Sequence, residues 1–223
     1  MLLKLLTMKG LFISGSGTDV GKTFIASHLI LALNSNYRIV ARKPIESDCI
    51  KTPQGLMPKD AVLLNNACTN PEPIEVVCTY RFEACVSGEK ASTDQGVEVT
   101  LDDLVVASRP VNTTDSVVVE GAGGLYSPIA AHLLNVDLAG ALGLPVVIVV
   151  KDELGAINQA LLSLRAAKAH NLNVIMLVLN QMSVNNLDNA QAIQAYTSTK
   201  VVVFHKDNQD EFAKIALALV EQS

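Results

Sequence analysis

The segment Gly15-Ser-Gly-Thr-Asp-Val-Gly-Lys-Thr23 brings together the residue types that hold a nucleotide's phosphates. It follows the apolar run Leu11-Phe-Ile13 and opens a stretch with helical spacing from Lys22 to Leu33. A helix start presents backbone N–H groups without intrahelical partners, and its dipole favours negative charge. In that context Lys22 is expected to reach the β- and γ-phosphates and the Thr23 hydroxyl to coordinate Mg2+. The spacing departs from the strict G-x-x-x-x-G-K-[ST] pattern: Ser16 stands where the first glycine belongs, between Gly15 and Gly17.

Three charged positions elsewhere could complete such a site. Glu120 closes the run Ser116-Val-Val-Val119 and precedes Gly121-Ala-Gly-Gly124, where absent side chains let backbone approach a ligand closely. Mg2+ takes oxygen ligands, commonly one or two carboxylates plus phosphate oxygens, which makes Glu120 a candidate. Asp60 precedes Ala61-Val-Leu-Leu64 and, read alone, is an acid at a helix start. Lys43 stands before Pro44, just after Arg38-Ile-Val-Ala41. It is either a solvated surface charge or a second cation for a transferring phosphoryl group. That reaction needs charge neutralisation and positioning more than covalent chemistry.

The elements that must carry these residues alternate in kind. Besides the runs already named, Pro145 to Val150, Val174 to Leu179 and Val201 to Phe204 read as strands. Ala156 to Ala169 and Asp210 to Val220 read as helices. Nearly continuous apolar strands alternating with helices specify a sheet buried on both faces. The expected fold is α/β, a doubly wound, mostly parallel sheet of P-loop NTPase type, in one domain over 1–223. Gly15, Lys43, Glu120, Asp152 and Asn180 follow strands directly, at the edge where such sheets bind ligands. Residues 69 to 100 are the least regular and read as a surface excursion.

Composition agrees. Of 223 residues, 49% are hydrophobic and 17% charged, which excludes a disordered chain. Trp is absent and aromatics make up 4%, so Val, Ile, Leu and Ala must build the core. A net charge of −5 argues against broad binding to nucleic acid. Cys49, Cys68, Cys78 and Cys85 contain no C-x-x-C pair and suit free thiols in a reducing compartment. Met1 to Lys9 makes a poor secretory leader, and no apolar run approaches the ~20 residues that span a bilayer. A soluble cytoplasmic protein without a membrane partner is expected.

These motifs together resemble the dethiobiotin synthetase family. That family's loop reads approximately G-T-D-T-E-V-G-K-T, with the shifted glycine of Gly15 to Thr23. Its K-P-[VI]-x-S matches Lys43-Pro-Ile-Glu-Ser47, its S-D-A is represented by Lys59-Asp-Ala61, and its E-G-A-G-G matches Glu120 to Gly124. Its L-G-x-[IL]-N matches Leu154-Gly-Ala-Ile-Asn158, and its strand-end asparagine matches Asn180. The order and strand-end setting of five motifs make the resemblance specific from about Gly10 to Asn180.

The resemblance implies an ATP-dependent cyclo-ligase that closes a ureido ring on 7,8-diaminononanoate with CO2, through a carbamate and a carbamic–phosphoric anhydride. It implies Thr23, Asp60 and Glu120 as Mg2+ ligands, and Lys22 and Lys43 as stabilisers of phosphoryl charge. Gly17, Thr18, Asp19, Val20 and Gly21 would wrap the phosphates, with Thr18, Asp19 and Ser47 lining the reacting centre. Gly121, Ala122, Gly123 and Gly124 would approach the diamine, and Asn180 would read adenine. A homodimer is implied, its substrate site shared across the interface. Gly155, Ala156, Ile157 and Asn158 would hold the substrate's carboxylate tail at a helix N-terminus.

The match has departures. Gly17 replaces a frequent loop aspartate, Asp152 and Glu153 are acidic where the family is often neutral or basic, and Gln181 follows Asn180. The late G-x-[IL]-P element is absent, with Phe204-His-Lys206 near its place. Three other readings fit such a phosphate loop: a partition- or nitrogenase-reductase-type ATPase, a cobyrinate-type amidoligase, and a non-enzymatic nucleotide-binding module. The first lacks its signature lysine, which would fall at Gly17; the second lacks its glutaminase-sized extension.

Overall fold

The computed structural model describes residues 8–222. In chain order it comprises β1 (Gly10–Gly15), α1 (Lys22–Leu33), β2 (Ile39–Arg42), β3 (Ile45–Glu46), β4 (Ile50–Thr52), β5 (Gly55–Met57) and α2 (Lys59–Ala67). Next come α3 (Ile74–Val77), β6 (Tyr80–Arg81), α4 (Gly88–Asp94), α5 (Leu101–Ala107), β7 (Ser116–Gly124), β8 (Pro128–Ala130) and β9 (Leu133–Leu134). The chain continues through α6 (Asn135–Leu142), β10 (Val146–Lys151), α7 (Ala156–Ala169), β11 (Val174–Asn180), α8 (Asn189–Gln194), β12 (Lys200–Phe204) and α9 (Gln209–Glu221).

Six strands form one sheet in the order β12-β11-β10-β1-β7-β2, and every pairing is parallel. Side chains alternate across it. Leu11, Ile13, Val118, Val147 and Val178 enter a core that includes Ile25, Leu29 and Phe212 of α1 and α9. Phe12, Val119, Ile148 and Leu177 enter a second core with Leu138 of α6 and Ala160 of α7. Both faces are therefore covered, as the doubly wound expectation requires. After β1 the chain winds to β2 and β7 on one side; β10 to β12 lie on the other. The strand order thus reverses beside β1, where ligands bind in such sheets.

Two expectations are corrected. The strand expected to stop at Glu120 runs on as β7 to Gly124, with an irregularity in its pairing between Ile13 and Gly15. The glycines can extend as well as turn, so composition gave no stop there. Residues 69 to 100 are not a mere surface excursion: α3, β6 and α4 lie within them, and Val77, Cys78, Phe82, Ala91 and Val99 are buried. Elements of two to seven residues are too short to show a period.

Cys49, Cys68 and Cys78 are buried free thiols, and Cys85 is exposed. Among the described residues no helix is long and apolar enough to cross a membrane. The expectation that Met1 to Lys9 is no leader falls mostly outside the described residues.

Candidate functional site

The loop between β1 and α1 is anchored to two neighbouring strands. Ser16 N–H donates to the Val149 carbonyl of β10 at 2.9 Å, and Asn180 Nδ2 at the end of β11 donates to the Val20 carbonyl at 3.0 Å. Gly21 caps α1 with φ 88°, and a Cβ there would lie 2.0 Å from Asn180 Nδ2. Only glycine meets both demands. Lys22 is buried, with Nζ donating to the Gly17 carbonyl at 2.7 Å. Burial, then the nearby Lys43 charge, lowers its pKa to about 8. Thr18 and Asp19 are exposed at the loop's crest, and Asp19 has φ 56°.

Strands β2 and β7 bring the charged residues beside this loop. Lys43 Nζ lies 2.5 Å from Glu120 Oε1, 3.2 Å from Asp60 Oδ2 and 3.2 Å from the Gly121 carbonyl. Thr23 Oγ1 donates to the same Glu120 Oε1 at 2.9 Å. Burial alone would lower the Lys43 pKa, but the Glu120 and Asp60 carboxylates outweigh it and hold the pKa well above the usual lysine value. Burial would raise the Asp60 pKa; the charge and hydrogen bond of Lys43 overcome this and leave it below the carboxylate norm. Lys43 is 3% exposed, so the reading of a solvated surface charge fails.

Glu120 is fully buried, and its Oε2 has no partner among the described residues. A buried carboxylate oxygen left unpaired is costly and asks for a ligand. Thr23, Asp60 and Glu120 together offer hard oxygen donors, the set Mg2+ prefers. Those three residues, with Lys22 and Lys43, thus meet in one cluster.

Of the other expected residues, Gly121 joins it by backbone alone. Gly121 contributes its carbonyl, while a Cβ on it would lie 2.6 Å from Asn135 Oδ1. Asn135, which sequence reasoning missed, accepts from Ala122 N–H at 3.0 Å and donates to the carbonyls of Ala122 and Gly124. It pins the glycine segment from the start of α6. Ser47 is half-buried beyond Glu46. Gly155 and Asn158 are exposed at the start of α7 and Ala156 is buried. No hydrogen bond among the described residues ties Gly155, Ala156, Ile157 or Asn158 to the charged cluster. Asn180 turns its amide under the phosphate loop, and its Oδ1 is buried without a partner among the described residues.

The acids beside α7 are already committed. Asp152 Oδ1 accepts from Asn189 at 2.8 Å, and Oδ2 accepts from Gln181 at 2.9 Å and Asn185 at 3.1 Å. Glu153 pairs with Lys151 at 2.7 Å.

A family model described as an AAA domain matches residues 9–204. An ATP-dependent dethiobiotin synthetase of Ruthia magnifica subsp. Calyptogena magnifica is 53% identical over 207 residues, 93% of this chain and 96% of its own. Another protein of that name, from Vesicomyosocius okutanii subsp. Calyptogena okutanii, is 52% identical over 93% of this chain and 94% of its own. Among solved structures, a putative plasmid partition protein of Borrelia burgdorferi B31 bound to AMPPNP superposes with a TM-score of 0.59. It is 12% identical over 96% of this chain and 97% of its own, a likeness of fold alone.

Proposed function

Because this chain belongs to the ATP-dependent dethiobiotin synthetase family, we propose that it closes the ureido ring of dethiobiotin from 7,8-diaminononanoate, CO2 and ATP. It is an ATP-dependent ligase of biotin synthesis. The finer mechanism is our reading, and the cluster of Lys22, Lys43, Thr23, Asp60 and Glu120 supports it most.

One amine of the substrate adds to CO2, releasing a proton and leaving a carbamate. A carbamate oxygen attacks the γ-phosphorus, the bond to the β–γ bridging oxygen breaks, and ADP departs. The second amine attacks the carbonyl carbon and expels phosphate, which closes the ring. Lys22 and Lys43 neutralise charge on the transferring group, the part of this chemistry a protein can most help. Thr18, Asp19 and Ser47 line the reacting centre, and the backbone of Gly121 to Gly124 meets the diamine.

Thr23, Asp60 and Glu120 would hold Mg2+, which when bound draws charge from the phosphate oxygens. The orphan Oε2 of Glu120 favours that assignment. Gly17 to Gly21 wrap the phosphates. Asn180 supports nucleotide binding through its hold on the loop, and its Oδ1, buried and without a partner among the described residues, is an acceptor complementary to an exocyclic amine.

The tail carboxylate is assigned to Gly155, Ala156, Ile157 and Asn158 of a second copy. Asp152 and Glu153 would oppose it if free, but both are engaged elsewhere. Leu154, next to Gly155, is 90% exposed and Leu162 of α7 is exposed as well, which favours a partner along this helix. Unpaired buried thiols accord with a cytoplasmic setting.

Phosphate release measured with and without diaminononanoate and bicarbonate tests the reading. Release should require both. Equal release from ATP alone would make the protein a switching ATPase instead.

A further inference from the structure

Helix α2 carries Asp60 in its first turn, yet its own N-cap residue is Pro58, which makes no side-chain cap. A proline ring has no acceptor to offer the helix's first N–H groups. Those groups still need partners, since a buried helix end without them is costly. The partner comes from β3. Glu46 Oε1 accepts from Asp60 N–H at 3.0 Å and Oε2 accepts from Ala61 N–H at 3.0 Å. These are the second and third helical positions, the two donors that an N-cap side chain normally satisfies. Glu46 is 3% exposed, and its own carbonyl is held by Phe82 N–H at 2.9 Å, so the strut is anchored to the core.

We propose that Glu46 is a positioning residue for the candidate metal site, capping α2 from across the fold and thereby fixing where Asp60 presents its carboxylate. Sequence spacing concealed this, because Glu46 falls at the variable position of Lys43-Pro-Ile-Glu-Ser47. Burying an acid is unfavourable, yet Glu46 is buried with both carboxylate oxygens on N–H groups of the α2 start. A glutamate kept at that cost, aimed at the backbone of a candidate ligand, is explained by the position it enforces. The inference rests on Asp60 being a metal ligand, as proposed above.

The test is Mn2+ binding in the presence of ADP, read by electron paramagnetic resonance, alongside circular dichroism. Glu46→Gln keeps the shape but sets an amide N–H against a backbone N–H. It should weaken Mn2+ by about 10-fold, the scale at which partners of metal ligands act. Pro58→Ser provides a local cap, and in the Glu46→Ala background it should restore most of the affinity lost by Glu46→Ala alone. Rescue separates a role through the helix start from a direct charge effect. Asp60→Asn is the control. If it weakens Mn2+ while Glu46→Gln does not, the positioning role is overturned and the metal site stands. If Asp60→Asn leaves Mn2+ unchanged, the metal reading itself fails. If both Glu46 variants weaken Mn2+ and Pro58→Ser rescues nothing, Glu46 does not act through the cap.

Discussion

The Nζ of Lys43 sits 2.5 Å from Oε1 of Glu120, joining β2 to β7 through a pair that solvent scarcely reaches. The strands themselves are hydrogen-bonded neighbours, with Ala41 opposite Val118 and Arg42 opposite Val119. Parallel register therefore brings the residues just beyond each strand's pairing to the same depth. Asp60 and Thr23 converge on the same two groups from α2 and α1.

Removing one half of this pair should cost more than removing both. Lys43→Met leaves Glu120 buried without its cation, and breaking such a pair costs roughly 3–5 kcal/mol. Lys43→Met with Glu120→Gln should recover part of that loss in urea unfolding. A double-variant loss equal to the sum of the Lys43→Met and Glu120→Gln losses measured singly would show that the two residues are not coupled.

Lys43→Met should also slow phosphoryl transfer while carbamate formation continues, because an amine captures CO2 without a phosphate cation. Trapping labelled carbamate and timing ADP formation separate the steps. Unchanged ATP cleavage would reject the role given to Lys43.

Lys22→Ala should lower kcat by ~10²–10³, the usual loss when a charge-stabilising donor goes. The wild-type residue also predicts a pH effect. With its pKa lowered to about 8, Lys22 is neutral above that pH and must take up a proton to meet phosphate. ATP affinity should therefore fall as pH rises through about 8, and Lys22→Ala should flatten that fall. Stability moves the other way. Between about 8 and 10.5 the unfolded chain binds the proton that the folded one has lost, so the Lys22 contribution to stability rises with pH. Calorimetric titration and urea unfolding across pH 7 to 10 check both signs.

The strands and the loop are legible because their signals are local: the spacing of Lys22 to Leu33 predicts a helix, and that run is α1. Glu120 was legible because an acid ending a β-branched run is conspicuous. Glu46 and Asn135 were not, since each acts on backbone 14 or 13 residues away and backbone carries no residue-type signal. The extension of β7 through Gly124 was hidden for a related reason, as it depends on pairing with β1 rather than on its own glycines.

Glu120→Gln keeps volume and an acceptor for Lys43 but removes a charge from the oxygen set. The Mg2+ concentration for half-maximal activity should rise steeply, with circular dichroism unchanged. A variant that loses stability while keeping its Mg2+ dependence would make Glu120 a structural residue.

Assembly can be decided by mixing two disabled subunits. One carries Lys22→Ala and cannot stabilise phosphoryl charge. The other needs a block at the tail site, and the structure dictates where. Ala156 is 2% exposed and packs in the core beside Ala160, so a large residue there would damage the fold itself. Asn158 is exposed on the same first turn of α7, and Asn158→Trp obstructs the surface without displacing the core. If one copy supplies Lys22 and the other supplies α7, the mixed dimer has one site with both defects and one with neither. With random exchange half the dimers are mixed, so activity should return to about a quarter of wild type by the symmetry of a two-fold dimer. If each subunit binds its substrate whole, every site keeps one defect and mixing restores nothing.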